Sequence, residues 1–256
     1  MLTSTFIHAS GVGPATERSL WGQGATTWQA YLGNPIRWRL PARQRDSLQA
    51  TLCESLQHLD QRRVAYFARQ VPRREHWRAI SAFPNIGYLD IETDGGYGDE
   101  SITVIGLYAG GEMRTYIRNE NLIDFLADCR ALDGFVTFFG TGFDLPFLIR
   151  RFPTLHRVFA ERLHIDLCPL YKRIGLTGGL KKIEKQVGIG RSAETDGLSG
   201  MDAVRLWRAS QRGGAAGDTA RELLIAYNRE DVVNMAALIE HLLPKLQASL
   251  QAPSTA

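Results

Sequence analysis

Cysteine is scarce in this chain of 256 residues. There are three, Cys53, Cys129 and Cys168, far apart and with no Cys-x-x-Cys spacing. That excludes a disulfide-stapled scaffold and a cysteine zinc site, and predicts reduced thiols in a cytoplasmic protein. No apolar run approaches the ~18 residues that a bilayer demands, so no membrane span is expected. The opening Met1-Leu2-Thr3-Ser4-Thr5-Phe6-Ile7-His8 lacks the basic start and apolar stretch of a signal peptide. Internal repeats are absent. What remains is an ordinary globular composition, 44% hydrophobic, at a length that accommodates one large or two small domains.

Against this background one segment stands out, Ile86-Gly87-Tyr88-Leu89-Asp90-Ile91-Glu92-Thr93. It has the apolar character of a buried strand, yet carries two carboxylates. Side chains two apart on a strand share a face, so Asp90 and Glu92 converge on one spot. Buried acids are tolerated only when paired, hydrogen-bonded or bound to metal. Two side by side repel, which makes a divalent cation with oxygen ligands their natural partner.

Two further acids fit the same point. Asp144 follows the apolar run Phe135–Phe139 and the turn Gly140-Thr141-Gly142, where a helix with an apolar face of Phe143, Phe147 and Leu148 is expected to open. Taken alone, Asp144 would serve as a helix N-cap. Asp231 lies on a long helical pattern four residues after Tyr227, so the two share a helix face. Separately, Asp231 reads as an exposed helix residue and Tyr227 as a core aromatic. Asp166, at the end of another predicted strand, reads as structural.

The segments Asp90-Ile91-Glu92-Thr93, Phe143-Asp144-Leu145-Pro146-Phe147-Leu148 and Tyr227-Asn228-Arg229-Glu230-Asp231, in this order, resemble the DEDDy branch of 3′–5′ exonucleases. The pattern is similar to that of the YprB-like ribonuclease H-like family and to the proofreading domains of family B DNA polymerases, over roughly residues 84 to 246. His164-Ile165-Asp166-Leu167 and Gly179-Leu180-Lys181-Lys182-Ile183-Glu184 look like its connecting pieces. One position departs: Phe139 stands where family members often carry Asn.

The resemblance implies an α/β, RNase H-like mixed five-stranded sheet flanked by helices, and a 3′–5′ exonuclease acting on single-stranded 3′ ends. Two Mg²⁺ or Mn²⁺ ions would be held by Asp90, Glu92, Asp144 and Asp231, with Asp90 bridging them and Tyr227 orienting the attacking water. Lys181 and Lys182 would grip the backbone beside the scissile phosphate, whereas Lys185 reads as a solvated helix position. The same fold also hosts structure-specific endonucleases and modules that bind nucleic acid without cutting it.

The strand pattern agrees: Ile86–Ile91, Ser101–Tyr108 and Met113–Ile117 form a predicted meander, followed by a helix over Asn119–Arg130 and strands at Phe135–Phe139 and Leu163–Leu167. Parallel crossovers would set the fourth strand beside the first. A helix from about Arg221 to His241 would then deliver Asp231. The loop Arg212–Gly217 and the tail 247–256 are expected to be disordered.

Residues 1–80 form a basic helical region. Between Pro35 and Ile80, ten arginines face four acids, a local charge of +6 in a chain of net +3. Leu48, Leu52, Leu56 and Leu59 recur at helical spacing, so one face packs and a basic one remains. Arg62, Arg63, Arg73 and Arg74, with interleaved Trp38, Tyr66, Phe67 and Trp77, suit a phosphate backbone; the alternative is a solvated face pairing with the acidic domain. At the start, Gly11-Val12-Gly13 before Pro14 resembles the turn of a helix-hairpin-helix, with backbone N–H groups offered to a phosphate, or else belongs to a simple helical cap.

Overall fold

The structure, a computed structural model, describes residues 1–251. A helical layer comes first: α1 (Pro14–Gly22), α2 (Trp28–Leu32), α3 (Ala42–Asp60) and α4 (Val64–Gln70), closed by a 3-10 stretch over Arg73–Ala82. The meander follows as β1 (Ile86–Thr93), β2 (Ile102–Ala109) and β3 (Glu112–Ile117). Next come α5 (Phe125–Ala131), β4 (Gly134–Thr137), α6 (Asp144–Arg151), α7 (Leu155–Ala160) and β5 (Leu163–Asp166). The chain ends in α8 (Leu167–Arg173), α9 (Leu180–Val187), α10 (Gly200–Ser210) and the 38-residue α11 (Gly214–Gln251).

The five strands lie in the order β3-β2-β1-β4-β5. β1 is antiparallel to β2 and parallel to β4, with Tyr88 opposite Tyr108 on one side and Val136 on the other. This is the expected RNase H-like mixed sheet. Its two faces follow the alternation of β1. Leu89 and Ile91 point into a core with Phe125, Phe135, Leu148 and Phe159 from α5, β4, α6 and α7. Ile86 and the acids at 90 and 92 point the other way, toward α11, whose Val232, Met235 and Leu238 pack on Val136 and Ile165.

The helical layer shares that second core. Phe6, Trp28, Tyr31, Leu48, Leu52, Phe67 and Trp77 run without a break into Leu163, Ile165, Leu170 and Tyr171. The 3-10 stretch lies along β5, where the Nδ1 of His76 accepts the His164 N–H at 3.0 Å. Arg78 ties Glu17 and Glu75 together at 2.7 and 2.8 Å, and Arg173 of α8 reaches Glu75 at 2.9 Å. Leu48 and Leu52 of α3 are wholly buried, as their spacing predicts.

Three local expectations are corrected. Gly11 and Gly13 do not join two helices: they follow a 3-10 turn at Leu2–Ser4, and Gly13 caps α1 because Pro14 opens it. Gly11 has φ +79°, and its carbonyl accepts from the Gln44 side chain of α3 at 2.6 Å. The segment 212–217 is ordered, because Gly213 and Gly214, at φ +71° and +68°, make the tight turn that lets α10 and α11 pack as a hairpin. Of the tail 247–256, residues 247–251 continue α11, and the rest lies outside the described residues. No helix among the described residues is long and apolar enough to cross a membrane.

Because the core is continuous, a chain starting at Phe83 should not fold independently. It would expose Leu163, Ile165 and Leu170 and strip His164 of its partner. Such a fragment should be insoluble, or melt more than ~10 °C below the full chain, as expected when several kcal/mol of burial are removed. A cooperative melt at the full-length temperature would show instead that the helical layer is an add-on.

Candidate active site

Asp90 and Glu92 sit in the second half of β1, and the register slips between Glu92 and Thr93, a bulge at the edge of the site. One carboxylate oxygen from each of Asp90, Glu92 and Asp231 lies within 4.8 Å of the other two. The three line one cleft of about 350 Å³ together with Tyr97, Phe143, Met201 and Tyr227. Asp144 is beside them, fully buried at the start of α6, and its Oδ1 accepts the Ile91 N–H of β1 at 3.1 Å. That bond ties α6 to the strand and sets aside the N-cap reading, since no side-chain cap bond opens this helix.

The site is electrostatically strained. Burial raises Asp90 well above the usual carboxylate range, and Asp144, Asp231 and Glu92 raise it further. Glu92 is raised likewise by burial, then by Asp231 and Asp144. Burial lifts Asp144 to about 7 and Asp231 to about 6, the latter opposed by Arg191. An all-oxygen set of carboxylates with surplus negative charge fits a hard divalent cation.

Tyr227 is divided between two environments. Its ring packs in a small core with Val104, Ile117, Trp207 and Leu224, while its hydroxyl accepts from Lys181 Nζ at 2.8 Å. Burial and the charges of Asp231, Glu92 and Asp90 raise its pKa, so it stays protonated. The Lys181 ammonium also donates to the Leu198 carbonyl and lies 4.1 Å from the Tyr227 ring centroid. It is therefore turned inward, whereas Lys182 lies toward the outside of α9. Lys185, exposed, pairs with Asp196 at 3.0 Å. Arg62, Arg63, Arg73 and Arg74 are all exposed on the helical layer, and Gly11 and Gly13 belong to the turn before α1.

Three contributors were not assigned from sequence. Asn228 donates to Asp90 Oδ2 at 2.9 Å and fixes that carboxylate. It fits there because Gly106, opposite Asp90 on β2, has no side chain: a Cβ would come 2.2 Å from Asn228 Oδ1. Asn228 stands inside the Tyr227–Asp231 motif, so the signal was adjacent, but its target was not readable. Arg191 is the second; it contacts Asp231 from a loop forty residues away. The third is the turn at Phe139. Its left-handed backbone (φ +65°) ends β4 at Thr137, two residues before the expected end. Asp166 holds that turn by accepting the Phe139 and Thr141 N–H groups at 2.8 and 3.1 Å, and it caps α8 through Cys168, the structural role anticipated for it.

The family model of the RNase H superfamily matches residues 87–243. The chain belongs to the RNase H superfamily. Among solved structures, a family B DNA polymerase from the hyperthermophilic archaeon Pyrobaculum calidifontis superposes with a TM-score of 0.52 at 18% identity. The match covers 62% of this chain but only 24% of the polymerase. At that identity the likeness establishes the fold. A search of curated proteins finds no match.

The raised value of Asp144 gives a signed pH effect. Its folded pKa of about 7 exceeds the unfolded value of 3.8, so its favourable contribution is complete at low pH and vanishes as pH rises through 7. Asp144→Asn mimics the protonated acid and keeps the acceptor for Ile91. Without metal, the variant should be more stable than the parent at pH 8, by up to ~4 kcal/mol, with the advantage shrinking as pH falls, to under about half at pH 5, and gone only below about pH 4. Thermal melts of both proteins across this range check it; a gap independent of pH would place Asp144 outside the strained cluster.

Proposed function

We propose that this protein is a metal-dependent nuclease of the DEDDy 3′–5′ exonuclease type, in the YprB-like branch, acting on single-stranded 3′ ends. The observation that carries the reading is the convergence of Asp90, Glu92 and Asp231 within 4.8 Å, with Asp144 adjacent, in a cleft open to solvent. Asp90, Glu92 and Asp231 would hold one Mg²⁺ or Mn²⁺, with Asp90 and Asp144 available to a second. Bound cations of this kind supply an activated water and neutralise the leaving oxygen of a phosphodiester.

The chain's own groups do the positioning. Asn228 and the Ile91 N–H fix Asp90 and Asp144, so the acids do not rotate away from one another. The Tyr227 oxygen accepts from Lys181, which leaves its proton to be donated toward a water or phosphate oxygen in the cleft. Tyr97, Phe143 and Met201 expose apolar surface at the rim, at 81%, 37% and 62%. Such a rim favours unpaired bases, which offer a π-face where a duplex offers only its backbone.

A 5′-labelled single-stranded oligonucleotide with Mn²⁺ tests the reading. Stepwise shortening from the 3′ end is expected, abolished in Asp90→Ala with the fold retained. Discrete internal products would make the protein an endonuclease, and binding without any cleavage a recognition module. Tyr227→Phe should lower turnover by ~10²–10⁴, the range of a positioned proton donor.

The exposed Arg62, Arg63, Arg73 and Arg74 are proposed to meet the strand outside the cleft. Replacing all four with Gln should flatten the dependence of log affinity on log salt by ~0.7 for each phosphate that the variant no longer neutralises. An unchanged slope in the folded variant would leave the basic face without a role in substrate binding.

A further inference from the structure

Among the described residues, Arg191 is the cation whose side chain bonds directly to a carboxylate of the acid cluster. Its Nη2 donates to Asp231 Oδ1, and its Nε and Nη2 grip Glu184 at 2.7 and 2.8 Å. Glu184, on α9, is in turn held by Asn234 Nδ2 at 2.9 Å, one helical turn beyond Asp231 on α11. The Arg191 and Glu184 side chains are 2% and 1% exposed. The loop reaches this point because Gly188 ends α9 in the left-handed conformation (φ +81°), turning the chain back across the helix.

We propose that Arg191 is a positioning residue for the metal site. It engages Oδ1 of Asp231 and so fixes the carboxylate that lies within 4.8 Å of Asp90 and Glu92, so that the fourth acid is held in one orientation toward a cation. This rests on the metal-dependent reading of the cluster.

The anchoring distinguishes this role from that of a counter-ion that departs when metal arrives. An arginine that vacates Asp231 would be tethered by that contact alone and would have a path to solvent. Arg191 is instead locked in a closed ladder, Asn234–Glu184–Arg191–Asp231, whose members come from α9, α11 and the loop between α9 and α10. Its guanidinium also lies 5.9 Å from the Tyr227 ring centroid, a further contact that holds it in place. The surrounding strap is pinned too: Ser192 N–H donates to Glu230 at 3.0 Å, and the Thr195 hydroxyl donates to the same carboxylate. Outer contacts that orient a metal-ligating carboxylate are worth about 10–100-fold in metal affinity when removed.

Arg191→Gln alone would strand the Glu184 carboxylate in the interior and threaten folding. The test therefore uses the double variant Glu184→Gln/Arg191→Gln, which removes one charge of each sign, and Arg191→Lys, which keeps the charge but loses the fork that spans two carboxylates. Mn²⁺ binding is measured by calorimetry on the full chain, with a metal-free melt confirming the fold. The dissociation constant is expected to rise at least ~10-fold in both variants, with cleavage recovering at high Mn²⁺. Wild-type affinity in Arg191→Lys would mean that charge alone suffices and would overturn the role. So would unchanged or tighter binding in the double variant, which would make Arg191 a competitor of the metal. If the parent protein binds no Mn²⁺, the metal-dependent reading falls, and this role with it.

Discussion

Mutual repulsion among carboxylates held at one point is the constraint around which this fold is organised. Asp90, Glu92 and Asp231 approach within 4.8 Å, and Asp144 adds the largest charge contribution to Asp90. Left free, four such groups would rotate apart into water. Each of three is held by something that cannot follow it: Asp144 by the Ile91 N–H, Asp90 by Asn228, Asp231 by Arg191. Strand parity does the rest, since residues 90 and 92 cannot leave the α11 face without turning Leu89 and Ile91 out of the opposite core.

The long α11 makes this arrangement rigid. It crosses β1 and β2, buries Val232, Met235 and Leu238 against the sheet, and brings Tyr227, Asn228 and Asp231 to the acids from a single element. The helical layer buttresses the β5 side of the same core, which explains why a basic, arginine-rich segment contains so many fully buried aromatics. Its exposed and buried faces serve different ends: Leu48, Leu52, Phe67 and Trp77 build the core, and Arg62, Arg63, Arg73 and Arg74 remain in solvent.

Much of this was legible because it rests on local periodicity. The alternation of β1 exposed the acid pair, the four-residue spacing put Tyr227 and Asp231 on one helix face, and the strand order followed from the crossover rule. What escaped depends on contacts between distant segments. The pairing of Asn228 with Asp90 needs Gly106 across the sheet, and a glycine in a strand does not announce what it makes room for. Arg191 meets Asp231 only because Gly188 reverses the chain. The end of β4 falls short of its apolar run because Phe138 and Phe139 continue the hydrophobic pattern, yet Asp166 captures the backbone at Phe139 and bends it away. The Gly11–Gly13 turn escaped for a related reason: a Gly-x-Gly motif specifies a turn and leaves open which elements flank it.

Two charge networks among the described residues contrast with each other, and the contrast supports the reading of the cleft. Where the helical layer meets α8, buried Arg78 and the partly exposed Arg173 of α8 meet buried Glu17 and Glu75, two cations against two acids, with direct contacts at 2.7–2.9 Å. That network is electrically closed and asks for nothing further. At the cleft, among the described residues, Asp90, Glu92, Asp144, Asp231 and Glu184 face Arg191 and Lys181. Fully ionised, five acids against two cations would leave an excess of three negative charges, and burial with mutual repulsion instead favours retained protons on the cluster. Burying unmatched charge is costly, and the raised values of all four clustered acids express that cost. The same sequence balances its buried charge where only packing is at stake and leaves it unbalanced beside a cleft open to solvent. An excess of that kind is relieved once a cation enters, and this imbalance is the physical support for the metal site proposed here.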